Sequence, residues 1–261
     1  MTQNRWIELD GVVNMRDLGG LPTLTGGQVQ RRRLIRSDNL QDLSGDDVRH
    51  VVEILGVSDI LDLRTETEVH VEGPGPLWAV ESLRHHHHSL VGNQLFKAAD
   101  ALALREHTES LAPKRDAAFW TNHYLGYLTD RGAAVSAALS VIATSGGATI
   151  VHCAAGKDRT GTVVALALDV AGVAHHDIVA DYALSAQRLP QIFARLRTSE
   201  LYGAALSRQT LADQETHPET MAAMLKVMTD SFGGTPGWLR GQGWSAGDVD
   251  SLRHRLTAPG S

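Results

Sequence analysis

Residues 148–162 read ATIVHCAAGKDRTGT, and this stretch decides the fold that the sequence predicts. Ala148 to Val151 predicts a short apolar strand, and the residues from Thr160 to about Ala171 predict a helix. A strand that runs through a tight loop into a helix is typical of α/β proteins, whose ligands bind at the carboxyl ends of the strands. Cys153, the only cysteine of the chain, lies at this junction. We therefore expect a functional site there.

The segments around this stretch extend the alternation of strands and helices. Ser44 to Gly56 predicts a short helix with a serine N-cap, and Val57 to Thr65 has the length and apolar content of a buried strand. Further helices are predicted at 130–145, from residue 175, at 218–231 and at 245–256. The predicted fold class is α/β, with a central, mostly parallel sheet flanked by helices. Because no repeat or long linker divides the chain, residues 1–261 are expected to form a single domain.

Residues from about 91 to 118 interrupt this alternation. They are polar and helix-favouring, with leucine and alanine residues at roughly helical spacing. We interpret the segment as a helical lid or insertion. A solvated surface helix explains the same pattern equally well.

Composition and charge argue against several classes of protein. Hydrophobic residues make up 43% of the chain and charged residues 21%, which is typical of a globular protein. The formal net charge of −6 lacks the basic excess of a nucleic-acid-binding protein, so no nucleic-acid partner is expected. A single cysteine excludes a disulfide bond within the chain.

No targeting or membrane segment is predicted. The first residues lack the apolar stretch of a signal peptide. The longest apolar run, at 162–173, is interrupted by Asp169 and is too short to cross a bilayer. We expect a cytoplasmic location, and export without a signal peptide stays open as an alternative.

The spacing of Cys153 and Arg159 predicts an anion site. The five residues between them allow the backbone to curl so that successive N–H groups face one point. The N-terminus of the following helix adds partial positive charge at that point. Arg159 can bind two phosphate oxygens with its guanidinium fork, and the same field stabilises a thiolate at Cys153. The arrangement suits nucleophilic displacement at phosphorus through a covalent intermediate.

The other residues of the loop have supporting roles in this interpretation. Ala154, Ala155 and Gly156 are small and leave the rim of the loop open for a ligand. Thr160 is placed to donate a hydrogen bond to the thiolate. His152 is expected to point away from the thiol, because neighbouring residues of a strand face opposite sides, and to support the loop through a hydrogen bond. A nucleotide-binding P-loop is excluded, because the Gly-Lys pair is followed by aspartate and the first glycine of that motif is missing.

The segment HCAAGKDRTG resembles the signature of the cysteine-based tyrosine and dual-specificity phosphatases. Four further segments are similar to a bacterial branch of that family, the mycobacterial phosphatase B branch: NMRDLGG (14–20), LIRSDNL (34–40), ILDLRTETEV (60–69) and IVADYALS (178–185). The resemblance implies a cysteine-phosphatase fold, Cys153 as the nucleophile, Arg159 as the phosphate-binding arginine and residues 154–159 as the phosphate cradle. It also implies a hydrolase without metal or cofactor that acts on phosphorylated proteins or phosphoinositides.

The general acid, which must protonate the leaving oxygen, is assigned to Asp158. Many tyrosine phosphatases carry this aspartate in a separate Trp-Pro-Asp loop, but residues 76–99 of this chain contain no aspartate. The bacterial branch shares the Lys-Asp-Arg sequence, which favours Asp158 as acid and base. The alternative is that Asp158 is an ion-pair partner that orients the loop. Lys157 is interpreted either as an extra phosphate contact or as a solvated lysine at a helix start.

Four charged residues outside the loop are candidates for a supporting polar network. By resemblance, Arg16 and Asp17 lie near the loop, and we expect a contact between Asp17 and Arg64 or between Arg16 and Asp62. Surface salt bridges of little energetic value are the alternative. Asp62 and Arg64 occupy alternate positions of a predicted strand and share one face, which supports the network.

A run of histidines and a set of aromatic residues are interpreted without a metal or a bound ligand. The run His85–His88 invites a metal site, but consecutive histidines do not converge on any regular element and no further ligand spacing completes a site. We expect no metal and interpret the run as a solvated loop, with a contact to substrate near the active site as the alternative. Trp120, Tyr124 and Tyr127 recur at helical spacing and are expected to pack in a core.

The leading functional hypothesis is a cysteine-dependent phosphatase acting on phosphotyrosine, with phosphoserine, phosphothreonine and phosphoinositides as a wider range. A phosphate-recognising module without turnover is one alternative, although binding alone would need no candidate acid. A rhodanese-like sulfurtransferase is another, although the charged Lys157-Asp158 pair and the Arg-Thr-Gly ending of the loop argue against it.

Overall fold

A computed structural model describes residues 5–92, 116–207 and 209–258 of the chain. Most of the segment interpreted as a lid or insertion lies outside the described residues, which resume at Asp116. None of the helices formed by the described residues is both long enough and apolar enough to cross a membrane.

The strands form a five-stranded sheet and a two-stranded ribbon. In chain order they are β1 (Arg16–Asp17), β2 (Gln28–Val29), β3 (Leu34–Ser37), β4 (Val57–Asp62), β5 (Arg84–His87), β6 (Ala148–His152) and β7 (Thr257–Ala258). The sheet has the order β1-β3-β6-β4-β5, and β2 pairs with β7. Within the five-stranded sheet, β3, β6, β4 and β5 run parallel and β1 pairs with β3 in the antiparallel direction, as β2 does with β7 in the ribbon. The α/β class with a mostly parallel sheet is therefore confirmed.

The helices cover both faces of this sheet. They are α1 (Gly45–Arg49), which continues as a π-helix (His50–Ile54), α2 (Glu66–Glu72), α3 (Ala117–Asp130), α4 (Gly132–Thr144), α5 (Asp158–Val170), α6 (His175–Ala183), α7 (Leu189–Thr198), α8 (Gly203–Leu206), α9 (Pro218–Phe232), α10 (Thr235–Gly241) and α11 (Ala246–Leu256). Short 3₁₀-helices lie at Pro76–Ala79, Leu184–Arg188 and Ala212–Gln214.

Alternating side chains of the central strands divide the core in two. Leu61 and Val151 belong to the larger cluster on one face of the sheet, and Ile60 and Ile150 belong to the smaller cluster on the other face. This division follows from the two-residue period of a strand. Cys153 lies on the side of the larger cluster.

Helix α5 runs through the larger cluster and is apolar from Val163 to Leu168. Its residues from Thr160 to Leu168 are all buried. The apolar run that is too short for a membrane span is therefore a central helix. The helix begins two residues earlier than the sequence predicts, at Asp158, because an acidic residue is favourable in the positive first turn of a helix. Asp158 and Arg159 are consequently fixed by helical geometry.

The histidine run is part of the sheet, so the prediction of a solvated loop is wrong. Residues 84–87 form the edge strand β5, which pairs in parallel with β4. Nε2 of His85 lies 3.2 Å from the carbonyl oxygen of Leu77, and Nε2 of His87 lies 2.7 Å from that of Arg64. Ring nitrogens that bind neighbouring backbone allow these residues to remain in a strand. Among the described residues, no group of three or more histidine, cysteine or acidic side chains could hold a metal ion.

Candidate active site

The loop between β6 and α5 follows the path that the sequence predicts. β6 ends at His152, Cys153 comes next, and Arg159 is the second residue of α5. We call residues 153–159 the active-site loop. Gly156 has a φ of +65°, and a Cβ atom at this position would lie 2.4 Å from the carbonyl oxygen of Ser37. Only glycine fits here, because it accepts the left-handed conformation and allows the loop to lie directly on the end of β3.

Arg159 is held by a carboxylate that the sequence analysis missed. Its Nη1 and Nη2 donate to the two carboxylate oxygens of Glu68 at 2.5 and 2.8 Å. Tyr202 also donates its hydroxyl hydrogen bond to Glu68. We call Glu68, Arg159 and Tyr202 the Glu68 cluster. Such a two-point contact fixes the plane of the guanidinium group.

Glu68 is placed by the local sequence of α2. Thr65 is the N-cap, and Glu68 completes a capping box by accepting a hydrogen bond from the backbone N–H of Thr65 at 2.6 Å. The Thr-x-x-Glu pattern was the signal that could have identified this residue. Burial would raise the pKa of Glu68, but the charge and hydrogen bonds of Arg159 outweigh it and lower the pKa to about 2. Glu68 is therefore ionised at neutral pH.

Asp158 is bound by Tyr124, which is in turn hydrogen-bonded to Tyr182. The hydroxyl group of Tyr124, on α3, donates to Oδ1 of Asp158 at 2.5 Å, and the hydroxyl groups of Tyr124 and Tyr182 lie 2.7 Å apart. Burial first, and the charge of Asp158 second, raise the pKa of Tyr124 well above its usual value. Tyr124 therefore stays protonated and can act as the donor.

Lys157 is buried rather than solvated, so the solvated alternative is wrong. Its side chain is only 2% exposed. Nζ donates to the carbonyl oxygen of Gln214 at 2.7 Å and lies 5.0 Å from the ring centroid of Trp120. It also lies 3.5 Å from Oδ1 of Asp158, which is the ion pair expected if Asp158 orients the loop. A phosphate contact by Lys157 stays a prediction.

One face of α3 packs against the active-site loop. Trp120 contacts Lys157 and Tyr124 contacts Asp158, while Tyr127 packs beside Tyr124 with ring centroids 6.0 Å apart. Tyr124 and Tyr127 are members of the larger core cluster, which confirms core packing for these two residues. The same face also binds the active-site loop, a contact that helical spacing alone does not indicate.

Cys153, Ala154 and Thr160 are buried, whereas Ala155 is half-buried. Thr160 is inaccessible to solvent, and its Oγ1 has no hydrogen-bond partner among the described residues. Cys153 and Ala154 are 2% and 5% exposed. Ala155 presents its carbonyl oxygen to the side-chain amide of Asn14 at 2.9 Å.

His152 lies behind the loop. Its Nδ1 is 3.4 Å from the carbonyl oxygen of Cys153, and its Nε2 is 3.8 Å from the carboxylate of Asp62. Burial lowers the pKa of His152 to about 4, although the charge of Asp62 opposes the shift. The imidazole is therefore neutral at pH 7.

The two long-range contacts predicted for the supporting residues do not form, and the topology explains why. Arg16 and Asp17 lie on β1 at one edge of the sheet, whereas Asp62 lies on β4, with β3 and β6 in between. Asp17 instead accepts hydrogen bonds from the backbone N–H groups of Gly19 and Arg32 at 2.9 and 3.0 Å. Arg16 binds Asp181.

Asp62 and Arg64 form their own ion pair at the end of β4. Nη2 of Arg64 lies 2.6 Å from Oδ2 of Asp62 and also donates to the carbonyl oxygen of Gly73 at 3.1 Å. Burial would raise the pKa of Asp62, but the neighbouring charges and hydrogen bonds lower it well below its usual range. The pair joins the end of β4 to the end of α2.

The arrangement brings a thiol, a carboxylate and an oriented guanidinium group to one loop. These are the elements that transfer of a phosphoryl group to a thiolate requires: a nucleophile, a proton carrier and a fixed cation for the equatorial oxygens.

Comparisons with known proteins agree with this chemistry. The model of the tyrosine phosphatase family matches residues 7–258. The triple specificity protein phosphatase PtpB of Mycobacterium tuberculosis is 30% identical over 277 residues, which cover 94% of this chain and 97% of that protein. A putative tyrosine-protein phosphatase of Cupriavidus necator is 29% identical over 90% of this chain and 82% of its own length. A tyrosine-protein phosphatase of Nostoc commune is 34% identical over 46% of this chain and 42% of its own length.

Proposed function

Because the chain belongs to the tyrosine phosphatase family and is a protein-tyrosine phosphatase, we propose that it cleaves phosphate monoesters through a phosphocysteine at Cys153. The observation that carries the proposal is the fixed guanidinium group of Arg159. Arg159 lies in the loop that begins with the buried thiol of Cys153, and Glu68 of α2 holds its side chain in place. A planar guanidinium group in this position can bind two equatorial oxygens of a phosphoryl group.

In the first step the Sγ thiolate of Cys153 attacks phosphorus. The S–P bond forms while the bond from phosphorus to the phenolic oxygen breaks, and Asp158 gives its proton to that oxygen. In the second step Asp158 takes a proton from a water molecule that attacks the phosphocysteine. The S–P bond then breaks and inorganic phosphate is released. Arg159 and the N–H groups of the loop stabilise the phosphoryl charge in both steps.

Asp158 as acid and base is supported by its position. It is the first residue of α5 and lies in the active-site loop, and the hydroxyl group of Tyr124 fixes its carboxylate. The ion pair with Lys157 supports the alternative role of orienting the loop. Asp158→Asn with aryl phosphates of different leaving-group acidity separates the two. An acid predicts the larger loss for poor leaving groups, whereas equal losses for good and poor leaving groups contradict the assignment.

The substrate range is proposed to extend beyond phosphotyrosine. The relative from Mycobacterium tuberculosis is named a triple specificity protein phosphatase, which supports a range wider than phosphotyrosine. We propose phosphoserine, phosphothreonine and phosphoinositides as the further substrates of this chain. For a second phosphate group to reach Lys157, Nζ would have to leave the carbonyl oxygen of Gln214. Parallel assays with phosphopeptides and phosphoinositide micelles, repeated with Lys157→Met, test this range. Selective loss with the multiply phosphorylated substrates is the expected result.

Turnover of p-nitrophenyl phosphate in the presence of EDTA tests the phosphatase mechanism. We expect vanadate to inhibit this turnover and Cys153→Ser to abolish it. Turnover that survives Cys153→Ser and is lost with EDTA would contradict the proposal. Phosphopeptide binding without turnover by the unmodified protein would indicate a recognition module, and release of sulfite from thiosulfate would indicate a sulfurtransferase.

A further inference from the structure

The carbonyl oxygens of the active-site loop bind donors from distant parts of the chain. The side-chain amide nitrogen of Asn14 donates to the carbonyl oxygens of Ala155 and Gly156 at 2.9 and 3.2 Å. Nη2 of Arg36 donates to those of Gly156 and Lys157 at 2.7 and 3.4 Å. Two side chains thus bind three consecutive peptide groups from the same side.

Because the peptide bond is planar, the direction of each carbonyl group also fixes the direction of the following N–H group. In a trans peptide the C=O and the following N–H point in opposite directions. Because the carbonyl groups of Ala155, Gly156 and Lys157 point to Asn14 and Arg36, the N–H groups of the next residues point away from them. The backbone N–H of Asn39 binds the carbonyl oxygen of Ala154 at 3.0 Å and extends the same pattern. Successive N–H groups are thereby left facing the opposite side, as an anion-binding nest requires.

Asn14 and Arg36 are themselves fixed by a buried charged group. Nη1 of Arg36 lies 2.9 Å from Oδ2 of Asp181, and Nε of Arg16 lies 3.2 Å from Oδ1 of the same residue. Nη1 of Arg16 donates to the amide oxygen of Asn14 at 2.8 Å. This last bond decides which way the amide faces, because only its nitrogen then remains for the loop carbonyl groups.

This group carries more positive than negative charge. Nη1 of Arg5 also lies 2.8 Å from Asp181, so three guanidinium groups share one carboxylate. We call Arg5, Arg16, Arg36 and Asp181 the Asp181 cluster. The side chains of Arg16, Arg36 and Asp181 are at most 1% exposed. In such a low-dielectric position the excess positive charge favours an anion on the neighbouring loop.

We propose that Asn14 and Arg36, held in place by Asp181, are positioning residues that set the affinity of the active-site loop for a tetrahedral oxyanion. They touch the backbone of the loop and none of the reacting atoms. The inference rests on the proposed function in one respect, namely that this loop binds the phosphoryl group. It gives a physical role to residues of three segments that carry the family resemblance, NMRDLGG, LIRSDNL and IVADYALS.

Calorimetric binding of tungstate, a non-reactive tetrahedral oxyanion, tests the proposal without requiring turnover. Asn14→Leu removes both donors of the amide at similar size, and Arg36→Lys keeps the charge but loses the fork. We expect each variant to bind tungstate about 10- to 100-fold more weakly, because a small misorientation of several donors is costly. Arg84→Lys is the matched control. It changes an arginine that binds Asp59 at the opposite edge of the sheet and should shift the affinity by less than about twofold.

The affinities are measured well below the thermal unfolding temperature of each variant. A purely structural role would lower that temperature and leave the tungstate affinity unchanged, and this result would overturn the proposal. If Asn14→Leu does not fold, Asn14→Ser, which is smaller and cannot reach the carbonyl groups, replaces it. If the unmodified protein binds no tungstate, the proposed function fails. If it binds tungstate and both variants match it, only the positioning role fails.

Discussion

The Glu68 cluster and the Asp181 cluster both contact the active-site loop. Both consist of ion pairs between guanidinium groups and a carboxylate, but they differ in the number of positive charges per carboxylate. In the first, one guanidinium group faces one carboxylate, and Arg159 keeps 14% of its side chain exposed. In the second, three guanidinium groups share one carboxylate, and Arg16 is inaccessible to solvent.

We call the contact between Arg159 and Glu68 the exchangeable contact, because a bound ligand can also bind Arg159. The contacts around Asp181 form a fixed framework. Under the proposed function a phosphoryl group joins Glu68 as a partner of Arg159, because the hydrogen bonds that Arg159 makes to the described residues use Nη1 and Nη2 and leave Nε available. The carboxylate of Asp181 cannot move away from its partners, because the buried guanidinium groups around it would then repel one another without a compensating negative charge. The loop is therefore fixed on its carbonyl side and available on its N–H side.

Asp181→Asn is expected to give the largest effect on stability. Neutralising the one carboxylate of the Asp181 cluster leaves its arginines unpaired, and we expect the free energy of unfolding to fall by about 3–5 kcal/mol. Urea denaturation measures the change. Asp230→Asn, in the exposed pair with Lys226, is the matched control and should give no measurable change. Equal results for the two variants would remove the distinction between buried framework and surface.

Arg159→Lys tests the exchangeable contact. Lysine keeps the charge but cannot bind two oxygens in one plane, so we expect kcat/KM for a phosphotyrosine peptide to fall about 10²- to 10³-fold. Arg253→Lys, in a half-exposed pair with Asp250, should leave the activity unchanged. A loss confined to thermal stability would mean that Arg159 belongs to the framework as well.

A proton on His152 would add positive charge behind the loop. Its pKa is lowered from 6.5 to about 4 by burial, so the unfolded chain binds more protons than the folded one between these values. Stability contributed by this group is therefore lost as the pH falls from about 6.5 towards 4, by about 3 kcal/mol in total. Unfolding measurements at pH 7 and pH 4.5 should show a smaller difference for His152→Gln. An identical pH dependence in both proteins would contradict this assignment.

Glu68→Gln should have the smallest of these effects. Glutamine can keep one hydrogen bond to Arg159 but loses the charge, so we expect KM for a phosphotyrosine peptide to rise about tenfold with a smaller change in kcat. Glu53→Gln, at an exposed position on the π-helix, is the control. If kcat falls and KM does not, Glu68 acts in the transition state rather than in orienting Arg159.

The sequence predicted the elements whose signals are local. The strand that ends before Cys153, the buried helix behind it and the mostly parallel sheet all follow from short apolar segments and the turn between them. The capping residue of α2 was equally visible in the sequence, and Glu68 could have been identified from it. The roles of Cys153, Arg159 and Asp158 stay proposals that the geometry supports.

The contacts that were missed join distant segments. Arg16 and Asp181 are separated by 165 positions, and nothing in either segment indicates its partner. The predicted contact between Arg16 and Asp62 failed because strand order, which places two strands between them, is a property of the whole sheet. The histidine run was misjudged because pairing with β4 and hydrogen bonds to backbone carbonyl groups stabilise a strand that its composition does not suggest.

The first turn of helix α5 belongs to the active-site loop, and the rest of the helix lies in the centre of the core. Its amide groups from Thr160 to Leu168 belong to residues that are buried on every side, so they can exchange with solvent deuterium only when the larger core cluster opens. We therefore expect the base of the active site to belong to a slowly exchanging segment of the protein. On heating, catalytic competence and the protection of this helix should disappear in the same transition.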